Sequence, residues 1–500
     1  MPRFAHRFAL PSTPLHRPVR PRTRREMLLQ CANGFGALAA TALWHERAFG
    51  ALVGGPGPVV ARDDARALVD PLAPRPAPLP ARAKQVIFLY MDGGPSQVDT
   101  FDWKPRLERE HGRPIQLANL PKTQFANVGT VLKSPWEFKP RGQSGLMVSE
   151  LLPCIARHAD KLCVVRSLTS NFSEHPGANY FLHSGHGQTG RPSMGSWVTY
   201  GLGSECRDLP GFVVLNGGLV PPGGLETFSN GFLPATYQAS LFKPESGLVA
   251  DAAPREPTAA AQRAKLDLLA ELDRAALGRV GDRGAVEAAL ANQELAFRMQ
   301  TSVPELADLS GESDATKTLY GLDSPNEHTR RYGRVCLLAR RLVERGVRFI
   351  ELTVPPAAGD RWDQHADLKN AHAANALATD QPIAALLEDL DRRGLLDSTL
   401  VVWAGEFGRT PMAQGSDGRD HNPYGFTVWL AGGGVKGGTT YGATDDYGYF
   451  AVEKRLEMHD LHATLLWLLG IDHTKLTFRH SGRDMRLTDV HGEVVRELIG

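Results

Sequence analysis

Apolar residues along the chain fall into two kinds of run. The first kind is short and unbroken. Val86-Ile87-Phe88-Leu89-Tyr90-Met91 ends in Asp92-Gly93-Gly94, and residues 162–166, 212–215, 347–354, 400–404 and 426–431 repeat the pattern. An unbroken run of this length, closed by glycine or polar residues, is the signature of a strand covered on both faces. The second kind recurs every three to four residues. Residues 330–345 place Val335, Leu338, Ala339, Leu342 and Val343 on one helical face, and residues 380–393 do the same with Ile383, Leu386, Leu387 and Leu390. Residues 148–159 and 459–469 read likewise, the latter halted by Gly470. Buried strands alternating with helices predict an α/β fold, a doubly wound, mostly parallel sheet flanked by helices. Residues 254–300 are rich in Ala, Arg, Glu and Leu and predict a helical insertion, expected over the ligand edge of the sheet. Residues 120–147 read as an irregular surface insertion.

The N-terminal region lacks both patterns. Thr23-Arg24-Arg25-Glu26-Met27-Leu28-Leu29 precedes a modest apolar stretch over residues 31–43, which resembles a twin-arginine export signal. Residues 1–50 are therefore expected to be a signal peptide handled by the twin-arginine export machinery, and residues 51–83, dense in Pro and Ala, a flexible leader. The folded domain is expected over residues 84–500, exported to the periplasm or beyond. The apolar stretch is too short for a stable membrane span. Among five cysteines there is no CxxC pair, which excludes a zinc ribbon or a thioredoxin motif. Once Cys31 leaves with the signal, Cys154, Cys163, Cys206 and Cys336 allow a disulfide outside the cytoplasm without fixing its pairing. A net charge of +1 argues for no nucleic-acid partner.

In an open parallel sheet, ligands bind beyond the carboxyl ends of the strands. Unusual side chains gather at those ends here. Asp92 closes the first run, Trp362-Asp363-Gln364-His365 follows the run at 347–354, Glu406 follows the run at 400–404, and Asp420-His421-Asn422 comes shortly after. Carboxylates and imidazoles converging on one crevice carry a desolvation cost of several kcal/mol each unless a cation offsets it. Asp92, Asp363, His365, Glu406 and His421 are thus candidate ligands of a divalent metal, with zinc, calcium, manganese, iron and magnesium all compatible. Each residue alone has a plainer reading: Asp92 as a turn cap, Glu406 paired with Arg409, the imidazoles as surface or core groups.

These motifs, with Ala404-Gly405-Glu406-Phe407-Gly408-Arg409-Thr410-Pro411, resemble the exported DUF1501 proteins, which are similar to sulfatases within the alkaline phosphatase-like superfamily. The resemblance runs from about Lys84 to the C-terminus and includes the helix at 459–469. It implies metal-binding roles for Asp92, for Asp363 (or Asp360) with His365, for Glu406 and for His421. Phe407 stands where the superfamily carries a further imidazole, which weakens the case for two zinc ions. The nucleophile position falls near His175, with Ser173 as a neighbouring hydroxyl and His183 and His186 flanking the turn. No Cys-x-Pro-x-Arg stretch occurs, so formylglycine chemistry is not expected. Arg409 and Arg166 are candidates to hold an anion. The implied activity is metal-assisted hydrolysis of a phosphate or sulfate ester, with a small anionic ester or a sulfated or phosphorylated glycan as substrate. The alternative is a non-catalytic exported binding or assembly protein that keeps the fold. No GxSxG elbow and no GK[ST] ending after the glycines at 432–438 support a serine hydrolase or a P-loop.

Overall fold

The computed structural model describes residues 70–117, 128–250, 256–277, 283–358 and 361–500. The expected export signal, most of the leader and Asp360 lie outside the described residues. The strands that position the site are β1 (Gln85–Tyr90), β2 (Leu162–Thr169), β3 (Phe212–Leu215), β4 (Ser240–Phe242), β5 (Phe349–Thr353), β6 (Thr399–Ala404), β7 (Gly408–Gln414), β8 (Gly418–Asn422), β9 (Phe426–Ala431) and β10 (Thr439–Tyr441). The helices are α1 (His175–Ser184), α2 (Met194–Leu202), α3 (Ala259–Leu277), α4 (Arg283–Ala307), α5 (Glu327–Glu344), α6 (Leu368–Arg392) and α7 (Met458–Leu468).

The main sheet runs in the order β10-β2-β9-β6-β1-β5-β3-β4, with Leu456–Glu457 added beside β2. β9 is antiparallel to both of its neighbours, and the pairs β6–β1, β1–β5, β5–β3, β3–β4 and β10–β2 are parallel. The expected mostly parallel α/β sheet is what the chain adopts. β1 shows why its run is unbroken: Ile87 and Leu89 pack into the core shared with α5 and α6, while Val86, Phe88 and Tyr90 face the core shared with α1, α2 and α7. A strand covered twice has no solvent face and needs no polar alternation.

Four expectations meet a different outcome. Residues 148–159 are not one helix. They hold the end of a strand (Leu146–Ser149, paired with Phe138–Arg141) and a 3₁₀ segment (Ile155–Lys161). Pro153 disfavours a continuous helix there, and the spacing misled because Val148, Leu151, Ile155 and Ala159 all reach the same core. The region 120–147 therefore contains ordered strands, Val128–Val131 and Phe138–Arg141. The helical insertion forms two helices, α3 and α4, but α4 docks on the segment leading into β3, where Arg298 donates 2.7 Å to the Arg207 carbonyl. That segment precedes the strand, so this contact lies at its amino end, away from the ligand edge. Finally, residues 70–83 are not a loose leader. Arg75 donates its N–H to Leu202 at the end of α2, and Leu79, Arg82 and Ala83 donate to Gly470 and Leu468 at the end of α7. The last carbonyls of a helix lack partners within it, and this segment supplies them.

Candidate metal centre

Asp420-His421-Asn422 lies on β8, which pairs antiparallel with β7 so that Arg409 lies opposite His421. This hairpin closes the carboxyl rim of the sheet and aims His421 inward. The loop 361–368 lies beneath it. Trp362, buried, donates its N–H to the Asp92 carbonyl at 2.9 Å, and Arg419 donates its N–H to the Gln364 carbonyl at 3.0 Å. Glycine is needed at two contacts. Gly93 has φ 104°, and a Cβ there would lie 2.5 Å from the Trp362 nitrogen; a Cβ on Gly418 would collide with the His365 carbonyl.

Asp363 is the centre of the arrangement. Its Oδ1 lies 2.9 Å from His365 Nε2, 3.1 Å from His421 Nε2 and 2.7 Å from Arg409 Nη2, and its Oδ2 lies 3.0 Å from His175 Nε2. The far nitrogen of each imidazole is committed elsewhere. His175 Nδ1 meets Glu406 Oε1 at 2.6 Å, His421 Nδ1 meets the Ser173 carbonyl at 2.7 Å, and His365 Nδ1 meets the Gln414 side-chain oxygen. In a neutral imidazole an acceptor at Nδ1 fixes the proton on that nitrogen and leaves the Nε2 lone pair facing Asp363. His175 Nε2 is buried and makes no directed hydrogen bond, although Asp363 is near. Lone pairs aimed at a carboxylate repel it, and a cation between them removes the repulsion. Among the described residues, His175, Asp363 and His421 form the cluster whose donor atoms all lie within 4.8 Å of one another, close enough to share one metal ion.

Before a cation binds, the electrostatics put a second proton on one of these imidazoles. Burial pushes His175 down, but the Asp363 and Glu406 carboxylates outweigh it and lift the imidazole to about 9, so at neutral pH its Nε2 carries a proton that a bound cation would displace. Burial and the nearby Arg409 guanidinium hold His421 down at about 4, so it stays neutral. Asp363 is held well below the usual carboxylate range, because His175, His365, His421 and Arg409 outweigh its burial. Asp92 is lifted to about 7 by burial and by the Glu406 charge, against the pull of Arg361.

The structure thus brings Asp363, His175 and His421 together, with His365 on the same carboxylate. It places the other expected ligands in supporting contacts. Glu406, fully buried, accepts the Gly93 N–H on both oxygens at 3.0 and 3.2 Å and orients His175. Asp92 accepts Arg361 Nε at 2.6 Å and the Tyr90 hydroxyl at 3.3 Å. Arg409 is buried and donates to the carbonyls of Gly93, Gly94 and Arg419 as well as to Asp363, so its guanidinium braces the rim rather than waiting for an anion. Arg166 lies 3.7 Å from Asp102 in a separate ion pair. Ser173 is exposed and contributes its backbone carbonyl to His421.

Sequence reasoning missed Arg361, Tyr90 and Gln414 as partners of the site. It also missed a stripe on α1: His175, Asn179 and His183 recur at four-residue spacing, and His183 forms a buried 2.6 Å pair with Glu351 of β5. That spacing was legible once the helix start at His175-Pro176 was recognised, since proline favours the first turn.

The sequence model described as "Protein of unknown function (DUF1501)" matches residues 83–499. The chain belongs to the DUF1501 family. The motifs at Asp92, Asp363, Glu406 and His421 therefore sit inside the matched span. No curated protein matches this DUF1501 chain. Solved structures similar to it include the PsFucS1 sulfatase from Pseudoalteromonas sp., at 10% identity and a TM-score of 0.32 over 78% of this chain and 68% of that one. The lipoteichoic acid synthase LtaP from Listeria monocytogenes aligns at 9% identity, TM-score 0.33, over 85% and 80%. An alkaline phosphatase superfamily protein from Vibrio parahaemolyticus aligns at 10% identity, TM-score 0.35, over 83% and 72%. Likenesses this shallow assign no role to any residue of the DUF1501 chain.

Proposed function

We propose that this DUF1501 protein is an exported, metal-dependent hydrolase of phosphate or sulfate esters, with a small anionic ester or a sulfated or phosphorylated glycan as substrate. One observation carries the reading: three imidazoles spend Nδ1 outward and turn Nε2 onto the single carboxylate of Asp363. His175, Asp363 and His421 would hold the cation, with His365 beside them. Nitrogen-rich donors with one carboxylate suit zinc or iron better than calcium. Such a cation supplies Lewis acidity toward an ester oxygen and a more acidic water.

The chain's own residues do the rest. Glu406 and the Ser173 carbonyl fix the imidazole tautomers, so donors need not reorganise on binding. Phe407 packs against His175 and His421, with ring centres 4.9 and 4.3 Å apart, and keeps water off that flank. His175 occupies the start of α1, where a hydroxyl nucleophile was sought. That favours direct attack by water over a covalent intermediate. Export is supported by Arg24-Arg25 and the apolar stretch over residues 31–43. Among the described residues, no helix is long and apolar enough to cross a membrane.

Elemental analysis of the exported protein, paired with turnover of a panel of aryl phosphates and aryl sulfates, tests the proposal. Bound metal with chelator-sensitive cleavage, both lost in Asp363→Asn, is the expected result. Metal-free protein with full activity would overturn it. Metal without turnover across the panel would favour the non-catalytic alternative, which the absence of a placed hydroxyl nucleophile also supports.

A further inference from the structure

On the far side of Glu406 from His421, the rim is built differently. Asp92 is 1% exposed, and its carboxylate is already engaged, by Arg361 on Oδ2 and by the Tyr90 hydroxyl on Oδ1. Both oxygens of Glu406 take the Gly93 N–H, and one also takes His175. This flank carries two carboxylates, and its one imidazole nitrogen, His175 Nδ1, is already spent on Glu406, while Nε2 turns the other way and Phe407 packs beside the ring.

The Arg361 guanidinium is fixed at two points. Nε donates to Asp92 and Nη2 donates 2.9 Å to the Val220 carbonyl, on the loop after β3. Its stem lies against Gly93, where a Cβ would come within 2.8 Å of Arg361 Cγ, so the glycine makes room for the arginine. A guanidinium is permanently charged, planar and weakly hydrated, which lets it neutralise a buried carboxylate without dissociating.

We propose that Arg361 is the second cation of this centre: the site holds one metal ion, at His175, Asp363 and His421, and the guanidinium fixed on Asp92 takes the place of another. The inference rests on the metal-binding reading above and deepens it. The ester's anionic group would then lie between a metal ion and an arginine side chain that is one-fifth exposed. The positive charge on the Asp92 side would be proof against chelators.

Titration of the full-length exported protein with Mn²⁺ tests this, read by elemental analysis after desalting and by electron paramagnetic resonance. The wild type is expected to retain one equivalent with the spectrum of an isolated ion. Arg361→Ala frees Asp92 and is expected to take up a second equivalent with a spin-coupled spectrum, because paired metal ions sit about 3.5–4 Å apart. Adding Asp92→Asn to Arg361→Ala is expected to return the count to one. Should Arg361→Ala fail to fold, Arg361→Met keeps the stem against Gly93 and removes only the charge, with the same expected gain. Two coupled equivalents in the wild type would overturn the inference, and so would a single equivalent in a folded Arg361 variant. No bound metal in the wild type would instead sink the metal-binding reading on which it stands.

Discussion

The two flanks of the rim solve one problem in opposite ways. Around Asp363, three imidazole Nε2 atoms converge on one carboxylate while each Nδ1 is already engaged by a fixed acceptor. Around Asp92, each buried oxygen has a donor from the chain itself, Arg361 or Tyr90. Burying charge is costly on both flanks. On the proposed reading a metal ion would complete the first flank; the second is complete when the chain folds. A cluster of acidic and imidazole residues is therefore not uniformly a metal site. What separates ligand from scaffold is where the second nitrogen or oxygen of each group is spent.

The sharpest way to break this contrast is Asp363→Ala. It removes the carboxylate on which three imidazoles converge and leaves the buried Arg409 charge without its partner. We expect complete loss of bound metal and a stability loss of about 3–5 kcal/mol in chemical denaturation. Retention of a full metal equivalent would place the centre elsewhere. A milder change tests the orienting role of the second flank. Glu406→Gln keeps the shape and alters the partner of His175 Nδ1, so metal affinity by competition titration should fall about 10–100-fold while the fold persists. No change in affinity would mean that Glu406 does not set the tautomer.

An imidazole outside both flanks supplies a control. His462 is fully buried, bonds the Leu182 carbonyl and has no carboxylate partner, and burial drives it down to about 3. With its folded value below the unfolded one, stability is full above about pH 6.5 and falls as pH drops toward 3. The slope should reach about 1.4 kcal/mol per pH unit, and His462→Gln should flatten it in urea denaturation measured across that range. An unchanged slope would show that His462 is not the group that titrates. The smallest effect is expected for Arg166→Met. Its 3.7 Å contact with Asp102 lies apart from the centre, and Asp102 keeps Lys104 and Thr444, so stability should shift by less than about 1 kcal/mol and metal content not at all.

Much of this was legible in the chain. The buried runs at 86–91, 212–215, 400–404 and 426–431 became strands because a doubly covered strand writes itself as uninterrupted hydrophobicity. Asp92, Asp363, His365, Glu406 and His421 were found because strand ends are where a parallel sheet gathers its polar groups, and all five lie at one rim. Their division into ligands and supports was not legible. It depends on which nitrogen of His175 meets Glu406, a relation between residues 231 positions apart. Arg361 hid for a similar reason: an arginine beside an aspartate in space leaves no pattern in sequence. The β7–β8 hairpin left no strand signal in the sequence because Arg409, Asp420 and His421 are polar yet buried, the reverse of the usual alternation. The helical insertion was placed at the wrong end of the sheet because helical periodicity marks a buried face without saying what covers it.

The pairing of Arg409 with His421 across that hairpin has a consequence for assembly. Neighbouring residues on a strand point to opposite sides, so a slip of one position would turn His421 away from Asp363 and present Asp420 or Asn422 in its place. Arg409 would then lose its fixed relation to the imidazole as well. On the proposed reading, metal capture would report correct strand alignment, and a chain that closes the hairpin out of step would forfeit the ion.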